Sequence, residues 1–293
     1  QCDGDLQKPL PGYQGEGDLM SQIELPEFSA LTEDDWQYFL FLGTPNQYLD
    51  TVAKGLQEQN RYFTDFRFLK LIYWYARYCD TSIFLPAGKI LYRARLYDRE
   101  KESEEKSPAF RGYGEKDSFV PPNGKYVPHG RANPDRIVYL YAAHSINTAI
   151  AEVSPPLKAD VSVAEIEVLE RLTLLSFCSY CATTAGEDTD ILAWQRNFVL
   201  ALARLYNRHY GDVRDYILCQ YISEFIKNIG FDGIAFRSSK VIEDRKFLKR
   251  DRNYTIFSYQ KCKPISSKLY YICDHQYTLR VQNASGVFEA FEE

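Results

Sequence analysis

Four short phrases each bring a polar side chain to the end of an apolar stretch. They are Leu91-Tyr92-Arg93-Ala94-Arg95, Gly130-Arg131-Ala132-Asn133-Pro134, Ala149-Ile150-Ala151-Glu152-Val153 and Asp232-Gly233-Ile234-Ala235-Phe236-Arg237-Ser238-Ser239. A core element that ends this way presents its polar residue at a cleft. Together the phrases supply cations, one carboxylate and hydroxyls. The planar fork of arginine matches phosphate oxygens bidentately, and a fixed carboxylate stabilises positive charge that develops during a reaction. The set suits a dinucleotide pyrophosphate held beside a ribosyl carbon that becomes cationic.

The bond between nicotinamide and ribose in NAD+ breaks through such a cation. Nicotinamide leaves as a neutral ring from a cationic one, so no strong general acid is needed, and the ribose becomes an oxocarbenium ion. In this reading Glu152 stabilises the cation and accepts from the 2′-hydroxyl, Arg93 and Arg131 hold the pyrophosphate, and Tyr141 stacks on nicotinamide. Taken singly, each residue has a plainer structural role. Glu152 reads as an exposed helix residue, Arg93 as a strand-end side chain reaching for water, Arg131 as a loop charge, Tyr141 as core filling, and Ser238 and Ser239 as the start of a turn. The chemical reading rests on their joint appearance in this order.

The elements that must position these residues follow from pattern. Residues 1–27 are rich in Gly, Pro, Gln and Asp and read as an extended arm. A helical section is expected over 28–85. Thr32 caps its first helix ahead of Glu33, Asp34 and Asp35, Pro45 opens a second with Tyr48, Leu49, Val52 and Leu56 on one face, and 64–79 forms a third with Phe68, Leu69, Ile72, Tyr73 and Ala76 inward. Pro86-Ala87-Gly88 marks a boundary, and 86–293 reads as a mixed domain. Strands are expected over 90–95, 137–143, 161–169, 171–177, 233–236 and 253–258. Helices are expected over 146–152, 189–209 and 213–229, and peripheral strands in 262–291. Residues 98–130 form a long polar loop, a length that often signals function. The fold class is α+β.

Composition sets outer limits. The 293 residues are 45% hydrophobic and 26% charged, ordinary for a globular protein. With 40 acidic against 35 basic residues and a net charge of −5, no basic footprint for nucleic acid is expected. No apolar run is long enough to span a bilayer. The start, Gln1-Cys2-Asp3-Gly4, has no initiator Met and no signal pattern. Gln1 is also not the small residue that lipidation at Cys2 needs. Seven scattered cysteines read as free thiols of a reducing cytosol. Cys178 and Cys181 form a lone CxxC without a second pair, and with four histidines no metal site is expected.

Residues 88–259 resemble a RES domain, a family named for an Arg, a Glu and a Ser. The phrases that carry the resemblance are Leu91-Tyr92-Arg93, Gly130 to Pro134, Tyr139-Leu140-Tyr141-Ala142-Ala143, Thr148 to Val153, Phe231-Asp232-Gly233-Ile234 running to Ser238-Ser239, and Asn253-Tyr254-Thr255-Ile256-Phe257. The resemblance implies an ADP-ribosyltransferase-like mixed sheet with flanking helices, here preceded by the helical section. It implies a toxin-like enzyme that depletes NAD+ as glycohydrolase or phosphorylase, with NAD+ as substrate and no cofactor. Glu152 and Arg93 would be catalytic, and Arg93, Arg131, Tyr92, Tyr141 and Ser238 or Ser239 would bind NAD+. An antitoxin or immunity protein is the implied partner, and the cytoplasm the implied site of action, in its own or a target cell. The helical and C-terminal extensions depart from compact family members and weaken a simple antitoxin pairing. ADP-ribosyl transfer to a macromolecule, with the charged segment 99–106 recruiting the acceptor, and a non-catalytic NAD+ or ADP-ribose sensor stay open as alternatives.

Overall fold

Local chemistry starts each of the first helices. In the computed structural model, Thr32 and Asp35 form a reciprocal capping box at α1 (Glu33–Phe41), and Thr44 and Gln47 form another at α2 (Pro45–Glu58), with Pro45 in its first turn. Asp65 accepts from the Arg67 amide to cap α3 (Phe66–Tyr78). The structure describes residues 31–62, 65–79, 81–101, 107–121, 127–178, 190–207, 216–240, 252–274, 280–282 and 288–290. The expected arm over 1–27, Cys181 and residues 102–106 and 122–126 of the expected loop lie outside them.

After the helices come β1 (Ser82–Leu85), β2 (Ile90–Leu96), the short α4 (Glu115–Ser118), β3 (Leu140–Ala143), α5 (Ile146–Val153), β4 (Asp160–Val168) and β5 (Leu172–Ser176). Helices α6 (Asp190–Asn207) and α7 (Ile217–Asn228) then lead to β6 (Gly233–Arg237), β7 (Arg252–Ile256), β8 (Cys262–Tyr271), β9 (Arg280–Gln282) and β10 (Phe288–Ala290). Eight strands form one sheet in the order β1-β5-β6-β7-β3-β2-β4-β8, and β9 pairs with β10 separately. Within the large sheet only β5 and β6 run parallel. The class is α+β, as expected.

One face of the sheet carries α1, α2, α3, α6 and α7 around a core rich in aromatic rings. Trp194 of α6 stacks on Phe39 at 5.3 Å and its indole N–H donates to the Gly43 carbonyl at 2.8 Å. Tyr75 of α3 stacks on Phe177 at 5.6 Å, and its hydroxyl donates to the Ser176 carbonyl at 2.7 Å. A second cluster includes Leu91, Leu140, Ala164, Ile166, Leu174 and Ile256.

Several expectations shift. The buried stripe of α3 is Phe68, Leu71, Ile72, Tyr75 and Ala76, while Leu69 and Tyr73 are only partly buried, because Tyr75 turns to the sheet to reach Ser176. The sheet begins at β1, before the expected boundary at 86, since Ser82–Leu85 pairs with Leu172–Leu175. The strand expected over 137–143 is confined to Leu140–Ala143, and Tyr139 packs instead on Phe257 at 4.6 Å. The expected loop over 98–130 contains α4, and Phe110 bridges to Ser267 of β8. In the C-terminal tail, β8 is an edge strand of the large sheet. It carries Pro264 opposite Ile166, at the register shift between Glu165 and Ile166, and edge strands and bulges are where strands tolerate proline.

Candidate active site

The sheet is open between β2 and β3. Strand β2 pairs with β4 along its whole length, from Ile90↔Glu167 to Leu96↔Val161, but meets β3 at the single rung Tyr92↔Ala143. A cavity of about 650 Å³ occupies this opening. Small-molecule sites commonly span ~300–1,000 Å³. Tyr92, Arg93 and Ala94 line it from β2, Tyr141, Ala142 and Ala143 from β3, and Ala149, Glu152 and Val153 from α5.

Glu152 stands in the last turn of α5, which Ser145 caps at its start and the left-handed Ser154 (φ 44°) ends. A carboxylate there opposes the helix dipole, so local electrostatics do not explain its choice. Two neighbours hold it. Ser238 Oγ donates to Oε1 at 2.5 Å and Asn253 Nδ2 donates to the same oxygen at 2.6 Å. Oε2 has no protein partner among the described residues.

Among the described residues the cations of the cavity form no ion pair. Arg93 Nη1 donates to the Tyr141 carbonyl at 3.2 Å, a group of the opposite lip, while its Nε is buried without a partner. Burial, and secondarily the neighbouring Arg95, push this guanidinium down to about 10, so it stays charged at neutral pH. A half-buried cation that meets only a neutral carbonyl among the described residues has a charge left for a ligand. Arg131 donates to the Tyr206 carbonyl near the C-terminal end of α6, where the helix dipole favours a cation. Its guanidinium lies 5.5 Å from the Phe236 ring centre and 5.8 Å from that of Tyr216. With Lys240, the cavity lining carries three cations against the one carboxylate of Glu152.

Tyr141 organises the arginine loop. Its hydroxyl donates to Asn133 Oδ1 at 2.7 Å and accepts from the Ala132 amide at 3.1 Å. Burial pushes its phenol up to about 12. Asn133, itself buried, donates to the carbonyls of Pro128 and Pro134, and Gln220 donates to that of Gly130 at 2.7 Å. A Cβ on Gly130 would sit 2.4 Å from Asn133 Oδ1 and 2.9 Å from the Tyr141 hydroxyl. Glycine is thus required where this loop closes on the tyrosine.

The structure therefore brings Arg93, Arg131, Tyr92, Tyr141 and Glu152 to one cavity, with Ser238 behind Glu152. Ser239 is exposed and absent from the lining. Sequence reasoning did not assign Asn253, Tyr216, Phe236 or Lys240 to the site. For Asn253 a signal existed: asparagine is disfavoured in strands, yet it begins the apolar run Tyr254-Thr255-Ile256-Phe257. Among the described residues no group of His, Cys, Asp or Glu is arranged to hold a metal ion, and no helix is long and apolar enough to cross a membrane.

Of the comparisons with known proteins, the family profile assigns a family. No curated protein matches the chain. Among solved structures it is similar to a chain of the M. tuberculosis MbcT–MbcA toxin–antitoxin complex, at 14% identity and a TM-score of 0.38, over 70% of this chain and 93% of that one. The profile of the RES domain matches residues 90–279, from the first residue of β2 to just before β9. That match covers more than half of the sequence and contains every residue that lines the cavity, so the chain belongs to the RES domain family.

Proposed function

We propose that this protein cleaves the nicotinamide–ribose bond of NAD+. The observation that carries the reading is a single carboxylate, Glu152, clamped through one oxygen and facing a cavity whose described lining holds three cations. Arg93 and Arg131 bind the pyrophosphate, and the ring of Tyr141 or Tyr92 packs on nicotinamide. The C1′–N bond breaks with its electron pair passing to the ring nitrogen, so nicotinamide leaves neutral. Glu152 stabilises the cation at C1′ and accepts from the 2′-hydroxyl. Water then adds to C1′ and loses a proton to solvent, giving ADP-ribose. Phosphate in place of water gives the 1-phosphate ester of ADP-ribose.

Membership of the RES family supports the further reading of a toxin that acts by depleting NAD+ in a cytoplasm, restrained by an antitoxin or immunity protein. NMR of the purified chain with NAD+, with and without phosphate, tests the chemistry. Free nicotinamide with ADP-ribose or its phosphate ester is expected. Intact NAD+, or ADP-ribose found only on a macromolecule, contradicts cleavage to small products.

A further inference from the structure

Glu152 Oε1 receives two hydrogen bonds from two different strands' ends. Ser238 follows β6 and is buried; its hydroxyl accepts from the Lys240 amide at 3.2 Å, which leaves its proton for Glu152. Asn253 lies on β7 and is 6% exposed. Its backbone is paired on both sides, with Ala143 of β3 and Phe236 of β6. A side chain on a strand held from both edges is a stiff support. An ionised carboxylate only accepts, so the amide half of Asn253 must be the group facing it.

From this geometry we infer that Asn253 is a positioning residue: by sharing Oε1 with Ser238 it fixes the carboxylate so that Oε2 is presented to the ribose. The inference rests on the proposed cleavage of NAD+ and adds a residue which that reading leaves out. A carboxylate with one oxygen committed to two donors is held ready as a fixed charge. It need not reorganise as the ribosyl cation forms, which is the source of the catalytic advantage.

The test uses the full chain and two variants. Asn253→Leu removes the donor at similar volume. It is expected to lower kcat about 10²-fold while KM stays within about two-fold, because the substrate's phosphates bind elsewhere in the cavity. Unchanged kcat, or a loss carried by KM, overturns the inference. Should that variant not fold, Asn253→Asp keeps the shape. Two carboxyls about 2.6 Å apart share a proton. The protonated pair keeps a donor on Oε1, and the second ionisation replaces it with repulsion. Activity of Asn253→Asp therefore approaches that of the parent in acid and falls as pH rises. The other charged or titratable groups at the cavity, Tyr92, Arg93, Arg131, Lys240, Tyr141, Tyr216 and Tyr254, are common to both proteins and cancel in the comparison. A profile parallel to the parent's overturns the inference.

A crystal structure of Asn253→Leu, or of Asn253→Asp grown above its second ionisation, gives a readout that needs no turnover. Glu152 displaced from Ser238 is expected, and Glu152 in its original place overturns the inference even if NAD+ is not the substrate. An inactive parent chain, by contrast, contradicts only the proposed function.

Discussion

Asp35 in the helical layer and Arg93 in the open sheet are both charged groups withdrawn from water, with opposite surroundings. Asp35 Oδ2 accepts from the Thr32 amide at 3.0 Å and the Thr32 hydroxyl at 3.1 Å, with Arg67 and Lys70 within 4 Å. Burial pushes its carboxyl up, but the Thr32 hydrogen bonds and the two cations outweigh burial and hold it below its ordinary 3.8. Arg93 has a carbonyl, a second arginine nearby and an unmet Nε. The charge of Asp35 is met within the helical layer and serves the fold. The cavity leaves its network incomplete in the sense that an anionic ligand would complete it.

That contrast is open to mutation. The largest effect is expected for Arg93→Met, with kcat/KM for NAD+ lower by about 10²-fold. Its unfolding midpoint should be unchanged or higher, since replacing an uncompensated buried cation by an apolar chain removes a desolvation cost. Chemical denaturation beside the kinetic assay checks both halves, and a large loss of stability would place Arg93 with Asp35 as a structural charge. Tyr141→Phe comes next. It removes the hydroxyl that ties Asn133 and Ala132, so a stability loss of about 1–3 kcal/mol is expected. A raised KM is expected as well, as the Arg131 loop loosens.

The smallest effect belongs to the helical layer. Asp35→Asn should cost about 1 kcal/mol with no change in turnover. Its sign with pH is fixed by the lowered carboxyl: the contribution is present above the ordinary value of 3.8 and is lost as pH falls through the lower folded-state value. Urea unfolding of parent and variant near neutral pH and in acid should converge at the acid end.

Much of this contrast was legible in the sequence. Glu152 could be placed near the end of a short helix because Ser145 caps it and Pro155-Pro156 stop it. Arg93 could be placed on a strand from its apolar neighbours. The opening between β2 and β3 was not legible, because it consists of rungs that do not form, and no residue type encodes a missing pair. Asn253 was marked by its place in a strand, but its role was hidden for a related reason: its partner lies 101 positions away, and only the assembled sheet brings the two together. The serine pair stayed ambiguous because either residue suits a strand end, and only the folded chain separates them, by the burial of Ser238 and its hydrogen bond to Glu152. The face of α3 was misjudged by one step because Tyr73 and Tyr75 are chemically alike, and only the Ser176 carbonyl selects the latter.

In the proposed reaction Glu152 carries the cleavage of NAD+. Nicotinamide release by the parent chain and by Glu152→Gln, followed side by side by proton NMR at equal protein concentration, tests it most directly. The account predicts release by the parent and a rate lower by about 10²–10³-fold in the variant, with unfolding midpoints that match. Equal rates in the two proteins, or no nicotinamide from either, would contradict it.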